Sequence, residues 1–354
     1  MKKKDNPFTN FRKHSYESNE TDIRLTSTLS LPRNFSSYRF PHKLEAEERK
    51  QIIELVREGL CHSTLLKKPY ILRAEDASPI DKEFLLEHFL TPHIFTHAHL
   101  GEAFMIEETG KFLALINLRE HVDLFLIDNQ NTLEEGLKRL VTIESELGKS
   151  VEYAYDKKFG FLTSDPSLSG TGLQVHAYLQ LPALIFSNAL DQVSVKHSLH
   201  QIEFAGLQGG GQELSGAILS VTNRYTLGTT EEDIIKAIRT CVTSLAVEEK
   251  TARQKMRDED SNEMKDRVGR AYGTLLHAYK AGAIEVLNEL GLLKLALSLG
   301  WIEGITFAKL NELFFTTRRA HLFEILGKEV GGDKLLHERA EYLHESLRET
   351  KLTF

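Results

Sequence analysis

Cysteine is nearly absent from this chain. Two in 354 residues, Cys61 and Cys241, leave no disulfide framework and no thiolate metal site to consider. Positive charge is not in excess either: 44 Lys and Arg against 51 Asp and Glu give a formal charge of −7. No global basic field is available for nucleic acid or an anionic membrane, so neither is expected as a partner. No apolar run approaches the ~18 residues that span a bilayer. The basic start Met1-Lys2-Lys3-Lys4 is not followed by an apolar run of signal-peptide length. Internal repeats and low-complexity segments are also missing. Together these absences predict a cytoplasmic protein.

What remains is ordinary globular material, with 41% hydrophobic and 27% charged residues, enough for one large core or two smaller ones. Residues 1–20 are polar and predict a loosely held tail. Ile52, Ile53, Leu55, Val56 and Leu60 mark one face of a helix from about residue 44 to 60. Ser78-Pro79 is a cap followed by proline at the first helical position, which predicts a second helix to about Leu90. The period then changes, and Ala103–Ile106, Phe112–Ile116 and Val122–Ile127 read as short strands. Leu173, Val175, Ala177, Leu179 and Leu181 alternate with Gln174, His176, Tyr178 and Gln180, a half-buried strand with one polar face. Ala217–Val221 reads as another strand. Thr230 with Asp233 opens a helix whose stripe runs through Ile234, Ile238, Cys241 and Leu245. The mixed charges of 248–266 predict a solvated helix face or a hinge, with a boundary near 255 and a helical domain over 256–354.

Four segments carry a distinctive pattern. The first is Asp22-Ile23-Arg24-Leu25-Thr26-Ser27-Thr28-Leu29-Ser30-Leu31-Pro32-Arg33-Asn34, and the second Asn117-Leu118-Arg119-Glu120-His121-Val122-Asp123. The third runs from Gly160-Phe161-Leu162-Thr163 through Pro166 and Gly170-Thr171-Gly172-Leu173 to Leu181-Pro182. The fourth is Ala205-Gly206-Leu207-Gln208-Gly209-Gly210-Gly211-Gln212-Glu213, followed by Asn223-Arg224-Tyr225-Thr226-Leu227-Gly228. In this order and spacing they resemble the signatures of the ATP:guanido phosphotransferase (phosphagen kinase) family, in its bacterial protein-arginine kinase branch. The family reads S-S-R-x-R-L-x-R-N, N-E-E-D-H-x-R, G-Y-L-T-x-C-P-x-x-x-G-T-G-L-R and R-G-x-x-G-E-x-x-E at the four places.

The resemblance implies an α+β fold: a catalytic domain over 21–255, mostly antiparallel sheet flanked by helices, and a helical C-terminal domain over 256–354. It implies phosphoryl transfer from ATP, with Mg²⁺, to the guanidinium of arginine in proteins. Nucleotide contacts would fall on Ser27, Thr28, Leu29, Ser30 and Leu31, on Asp123, on Gln174, Val175, His176, Ala177 and Tyr178, and on Ala205, Gly206, Leu207, Gln208, Gly209 and Gly210. It further implies a Clp-type unfoldase and a zinc-binding activator protein as partners.

Chemistry needs arginine forks on the phosphates and carboxylates on the guanidinium. Carried over residue by residue, the family's phosphate-binding arginines fall on Thr28, Ser30, Asp123, Gln174 and Ala205. Its catalytic glutamate falls on Arg119, and its substrate-contacting cysteine on Asp165. Glu213 is the vestigial carboxylate. Arg119 is placed to pair with Glu120 or a neighbouring carboxylate and so fill the old site. His121 reads as strand support, and Asp123 with Asp165 as carboxylates of the type that suits Mg²⁺. His93, His97, His99 and Glu102 have metal-compatible spacing but no thiolate, so no metal is assigned. A phosphoarginine pocket in the family has an R-D-x-x-R-A motif. It falls on Leu335-Leu336-His337-Glu338-Arg339-Ala340, where only the last two match. Two readings follow: an enzyme with a degenerate, remodelled site, or an inactive pseudokinase acting as a binding or adaptor protein in Clp-type protein quality control. The leucines Leu287, Leu290, Leu292, Leu293, Leu295, Leu297 and Leu299 predict a homodimer or partner contact through the C-terminal domain.

Overall fold

The computed structural model describes residues 21–90, 100–130, 132–190, 201–207, 214–259 and 261–354. The tail 1–20, the histidines His93, His97 and His99, and Gln208, Gly209, Gly210 and Glu213 lie outside the described residues.

The architecture is α+β. Among the described residues, ten strands precede the helical part: β1 (Arg24–Arg33), β2 (Tyr70–Arg73), β3 (Ala103–Ile106), β4 (Phe112–Ile116), β5 (Val122–Asp128), β6 (Tyr155–Asp156), β7 (Gly160–Phe161), β8 (Gln174–Gln180), β9 (Ile202–Gly206) and β10 (Ile218–Asn223). Eight of them form one sheet in the order β2-β3-β4-β5-β1-β8-β10-β9, while β6 and β7 form a separate hairpin. The β2–β3, β3–β4, β4–β5 and β5–β1 ladders are antiparallel. Every residue of β3, β4 and β5 is buried, which explains the apolar runs Ala103–Ile106, Phe112–Ile116 and Leu124–Ile127: a strand covered on both faces has no solvent side to alternate with.

Helices α1 (Ala46–Leu60), α2 (Pro79–Phe89) and α3 (Leu133–Leu147) accompany the first strands. In α2 the Ser78 hydroxyl accepts from the Asp81 N–H at 3.2 Å and the Asp81 carboxylate accepts from the Ser78 N–H at 2.9 Å, the predicted cap closed reciprocally. On α3, Gly136 lets the helix approach β1 and β5 closely; a Cβ there would stand 3.2 Å from Leu126 and 3.3 Å from Leu29.

Two compact units divide the chain. Of the described residues, one holds Thr26–His176 and Thr222–Ile238, the other 21–25, Ala177–Val221 and Arg239–Phe354, so β1, β8 and β10 contribute residues to both. The second unit carries α4 (Pro182–Phe186) and most of α5 (Glu231–Asp258). It also holds α6 (Asn262–His277), α7 (Ala283–Leu299), α8 (Phe307–Thr316), α9 (Arg319–Leu326) and α10 (Gly332–Ser346). A short ladder of β11 (Ile302–Glu303) with β12 (Lys351–Leu352) completes it.

Two expectations are corrected here. The charge-dense end of α5 is not all solvated: Glu249 and Arg253 are 0% and 5% exposed. Glu249 accepts from the Ala183 and Leu184 N–H groups at 3.1 and 3.0 Å and from Arg253 Nε at 2.7 Å. Strand β8 does not keep a polar face, because Tyr178 and Gln180 are buried, Gln180 donating to the Gly216 carbonyl at 2.8 Å. The leucines of α7 are consumed inside the second unit: Leu287, Leu290, Leu293, Leu295 and Leu299 are buried, and Leu292 and Leu297 pack partly buried against the same core. These seven leucines are therefore accounted for by packing within the unit. Among the described residues, no helix is long and apolar enough to cross a membrane.

Candidate active site

The sequence segments meet through polar side chains that bond to one another's backbone. Beyond β1, Asn34 Nδ2 donates to Glu120 Oε2 at 2.5 Å and to the Leu162 carbonyl at 3.0 Å, while its Oδ1 accepts from the His121 N–H at 3.0 Å. The buried Glu120 carboxylate also accepts from the Ser164 N–H at 2.9 Å and its hydroxyl at 2.9 Å. One asparagine and one glutamate thus tie the first, second and third segments together. His121 Nδ1 accepts from the Phe35 N–H at 2.8 Å, which leaves Nε2 as the protonated nitrogen, donating to the Arg39 carbonyl at 2.7 Å. Burial, the main cause, holds its pKa below the ordinary value. It is a fixed neutral imidazole that positions the turn.

Third and fourth segments close on each other through glycine. Gly170 adopts φ +110°, and a Cβ there would lie 2.2 Å from the Thr226 carbonyl oxygen. The Thr171 N–H donates to that same oxygen at 2.9 Å, and Asn223 Nδ2 donates to the Leu173 carbonyl at 2.9 Å. These contacts explain the G-T-G spacing and the asparagine of the fourth segment without reference to a ligand.

Arg33, an arginine kept from the family pattern, is also structural. It is 2% exposed, with Nε donating to Glu144 at 2.8 Å, Nη1 donating to the Pro32 carbonyl at 2.8 Å and the Thr171 carbonyl at 3.1 Å, and its guanidinium 3.6 Å above the Phe161 ring. Three of its five N–H donors are taken, and the whole group is buried, which makes it part of the scaffold.

Strand register sorts the β1 candidates. Thr28 lies opposite Ile127, Ser30 opposite Phe125 and Pro32 opposite Asp123, so Thr28, Ser30 and Asp123 share one face of the sheet. Ser27, Leu29 and Leu31 share the other face with Arg33, the side on which Leu29 meets α3. All six of these candidates are buried. Burial pushes the Asp123 carboxyl up to about 7; Glu120 adds to the rise, and Arg119 and Arg33 oppose it. On β8, Gln174 is half-buried, the Val175 N–H donates to Asn223 Oδ1 at 2.8 Å, and Ala177 and Tyr178 are buried. His176 shares a hydrogen bond with the Thr222 hydroxyl at 2.8 Å, and burial pushes its pKa down to about 4, so it is neutral near pH 7. In the second unit Ala205 and Gly206 end β9, followed by Leu207.

Arg119 is exposed on the turn between β4 and β5, where Asn117 adopts φ +63° and donates to the Arg49 and Gly101 carbonyls at 2.9 and 3.0 Å. With Arg49, His42, Glu120, Ser164 and Asp165 it lines a hollow of about 270 Å³. Asp165 accepts from the Ser167 N–H and hydroxyl at 3.0 and 2.7 Å, which together with Arg119 hold its pKa below the usual range. The Arg119 charge therefore acts on the neighbouring carboxylates Asp123 and Asp165, while Glu120 is held by Asn34 and Ser164. The sequence reading missed the Arg33–Glu144 pair, which bridges 111 positions and leaves no local signal. It also underweighted Glu120, whose one clue was a carboxylate kept at the acidic position of the second motif.

In class, the fold is that of the phosphagen kinases. The duplicated taurocyamine kinase of Schistosoma mansoni superposes with a TM-score of 0.56 at 23% identity, covering 67% of this chain and 34% of that one. A lombricine kinase gives 0.55 at 17% identity, covering 68% and 70%. Residues 51–252 match the family model of the ATP:guanido phosphotransferase C-terminal catalytic domain, and 261–353 that of the protein-arginine kinase McsB C-terminal domain. The chain belongs to the ATP:guanido phosphotransferase family. It is 32% identical to a protein-arginine kinase of Chlamydia pneumoniae over 94% of both chains, and 30% identical to one of Halalkalibacterium halodurans over 93% of both.

Proposed function

We propose that this chain keeps the guanido-kinase scaffold but has lost phosphoryl transfer, and serves as a binding or adaptor component of Clp-type protein quality control. The observation that carries the reading is Asp123. At a position where the resemblance places a phosphate-binding arginine stands a buried carboxyl on the same sheet face as Thr28 and Ser30.

Mg-ATP does not fit the residues at the carried-over positions. A triphosphate needs several cationic forks to neutralise it. Thr28, Ser30, Gln174 and Ala205 are neutral, His176 is neutral near pH 7, and Arg33 is spent on Glu144. Ionised, Asp123 would repel a phosphate by about 4 kcal/mol at ~4 Å and an effective dielectric near 20. Protonated, it still contributes no positive charge. At the other end of the site, Arg119 presents a guanidinium where a carboxylate would have to orient the substrate guanidinium, so like charges meet.

The test is direct. The chain is incubated with Mg-ATP and an arginine-containing peptide, and acid-labile phosphoarginine is sought by mass spectrometry under neutral conditions. No product is expected. Turnover near the ~1–100 s⁻¹ typical of kinases would overturn the reading.

A further inference from the structure

Beyond the residues that line the hollow beside Arg119, the first unit carries a group of exposed apolar side chains. Tyr155 is 60% exposed, Phe159 45%, Tyr225 49% and Leu227 49%. They rise from three pieces of backbone in contact. The hairpin β6–β7 pairs Tyr155 with Phe161, Phe161 pairs with Gly170, and the Gly170 backbone lies against Thr226 and Leu227. Gly160 and Gly170 can take no side chain, because a Cβ on either would fall within 2.7 Å of the facing backbone. The group is held rigidly by chain packing, with Tyr155 against the Phe161 ring at 5.4 Å and Phe161 beneath Arg33. Four such side chains, half exposed, offer on the order of 400 Å² of apolar surface, comparable to the largest apolar patch of an ordinary monomer, which is often functional.

Its charge is opposite to that of the chain. Lys157, Lys158 and Arg224 lie within the two segments and are exposed, while Asp156 is the single acid there. The Asp156 carboxylate caps the hairpin turn, accepting from the Lys158 and Phe159 N–H groups at 2.7 and 3.1 Å. A local excess of positive charge thus surrounds an apolar patch on a chain of net charge −7. Lys158 stands over the Phe159 ring at 5.2 Å and Arg224 over the Tyr225 ring at 5.5 Å. These ring faces are already covered by cations, which disfavours the base stacking that single-stranded nucleic acid would need.

We propose that this surface, built on Tyr155, Phe159, Tyr225 and Leu227 and rimmed by Lys157, Lys158 and Arg224, docks an acidic, apolar segment of a partner protein. Carboxylates would reach the rim cations while leucine or aromatic side chains cover the apolar centre. None of these seven residues is among the carried-over nucleotide-contact positions, so the proposal stands whether or not the chain retains catalysis.

The experiment uses the full chain and a fluorescein-labelled peptide in which Asp and Glu alternate with Leu and Phe, followed by anisotropy. Saturable binding is expected, weakening several-fold between low and physiological salt. Tyr225→Ser with Leu227→Ser should weaken it about tenfold, as should Lys157→Glu with Lys158→Glu, which leaves the apolar residues and the fold in place. Absence of binding, or binding indifferent to both double variants, overturns the proposal. So does equal or tighter binding of a lysine-for-acid control peptide or of oligo-dT. Concentration-dependent dimerisation abolished by Tyr225→Ser with Leu227→Ser overturns it as well, because a second copy would then be the occupant.

Discussion

Asp123→Asn removes the buried ionisable group while keeping the side chain's shape. Folding lifts the carboxyl from 3.8 to about 7, with burial as the main cause. Between those values the folded chain holds a proton that the unfolded chain has released, so stability from this group is full below about pH 4 and is lost as pH rises through 7. At ~1.36 kcal/mol per pKa unit, the complete loss is about 4 kcal/mol. An amide does not titrate. The Asp123→Asn variant should therefore gain on the wild type by about 1.5 kcal/mol at pH 5 and about 4 kcal/mol at pH 8, measured from its offset at low pH. His176 and His121 are held neutral by burial and drive the wild-type curve the opposite way at acid pH, but they cancel in the difference. Guanidinium titrations followed by circular dichroism at pH 5, 6, 7 and 8 supply the two curves. Parallel curves would refute a buried, proton-binding Asp123, as would a difference that shrinks with pH.

Two further substitutions probe the scaffold. Asn34→Ala withdraws donors from the buried Glu120 carboxylate and the acceptor of the His121 N–H, and should cost about 3 kcal/mol in the same titrations; a loss under about 1 kcal/mol would contradict its bridging role. Gly170→Ala forces a methyl to 2.2 Å from the Thr226 carbonyl at φ +110° and should cost more than about 3 kcal/mol or prevent folding. A Gly170→Ala chain as stable as the wild type would contradict the packing described.

The parts legible in the sequence were those with local signals. Ser78-Pro79 marked the start of α2 because the cap and the proline act within one turn. The apolar runs of β3, β4 and β5 declared themselves because both faces are buried. The family motifs located the four segments, and the asparagines and glycines in them proved to be the residues that hold those segments together. Long-range pairing was invisible. Nothing near Arg33 points to Glu144, and nothing near Glu249 points to the N–H groups of Ala183 and Leu184. Tyr178 and Gln180 looked solvent-facing because alternation reports polarity rather than what packs above it. The leucines of α7 looked surplus because periodicity around a helix buried on most sides resembles an unpartnered face.

The central claim, that the phosphate-binding positions hold no triphosphate, is tested most directly by titrating Mg-ATP into the concentrated full-length chain in a calorimeter at pH 7. The account predicts no saturable heat up to hundreds of micromolar nucleotide, a range in which ~5 kcal/mol of binding free energy would already register. A saturable isotherm at micromolar strength, lost on Thr28→Asp or Ser30→Asp, would contradict it.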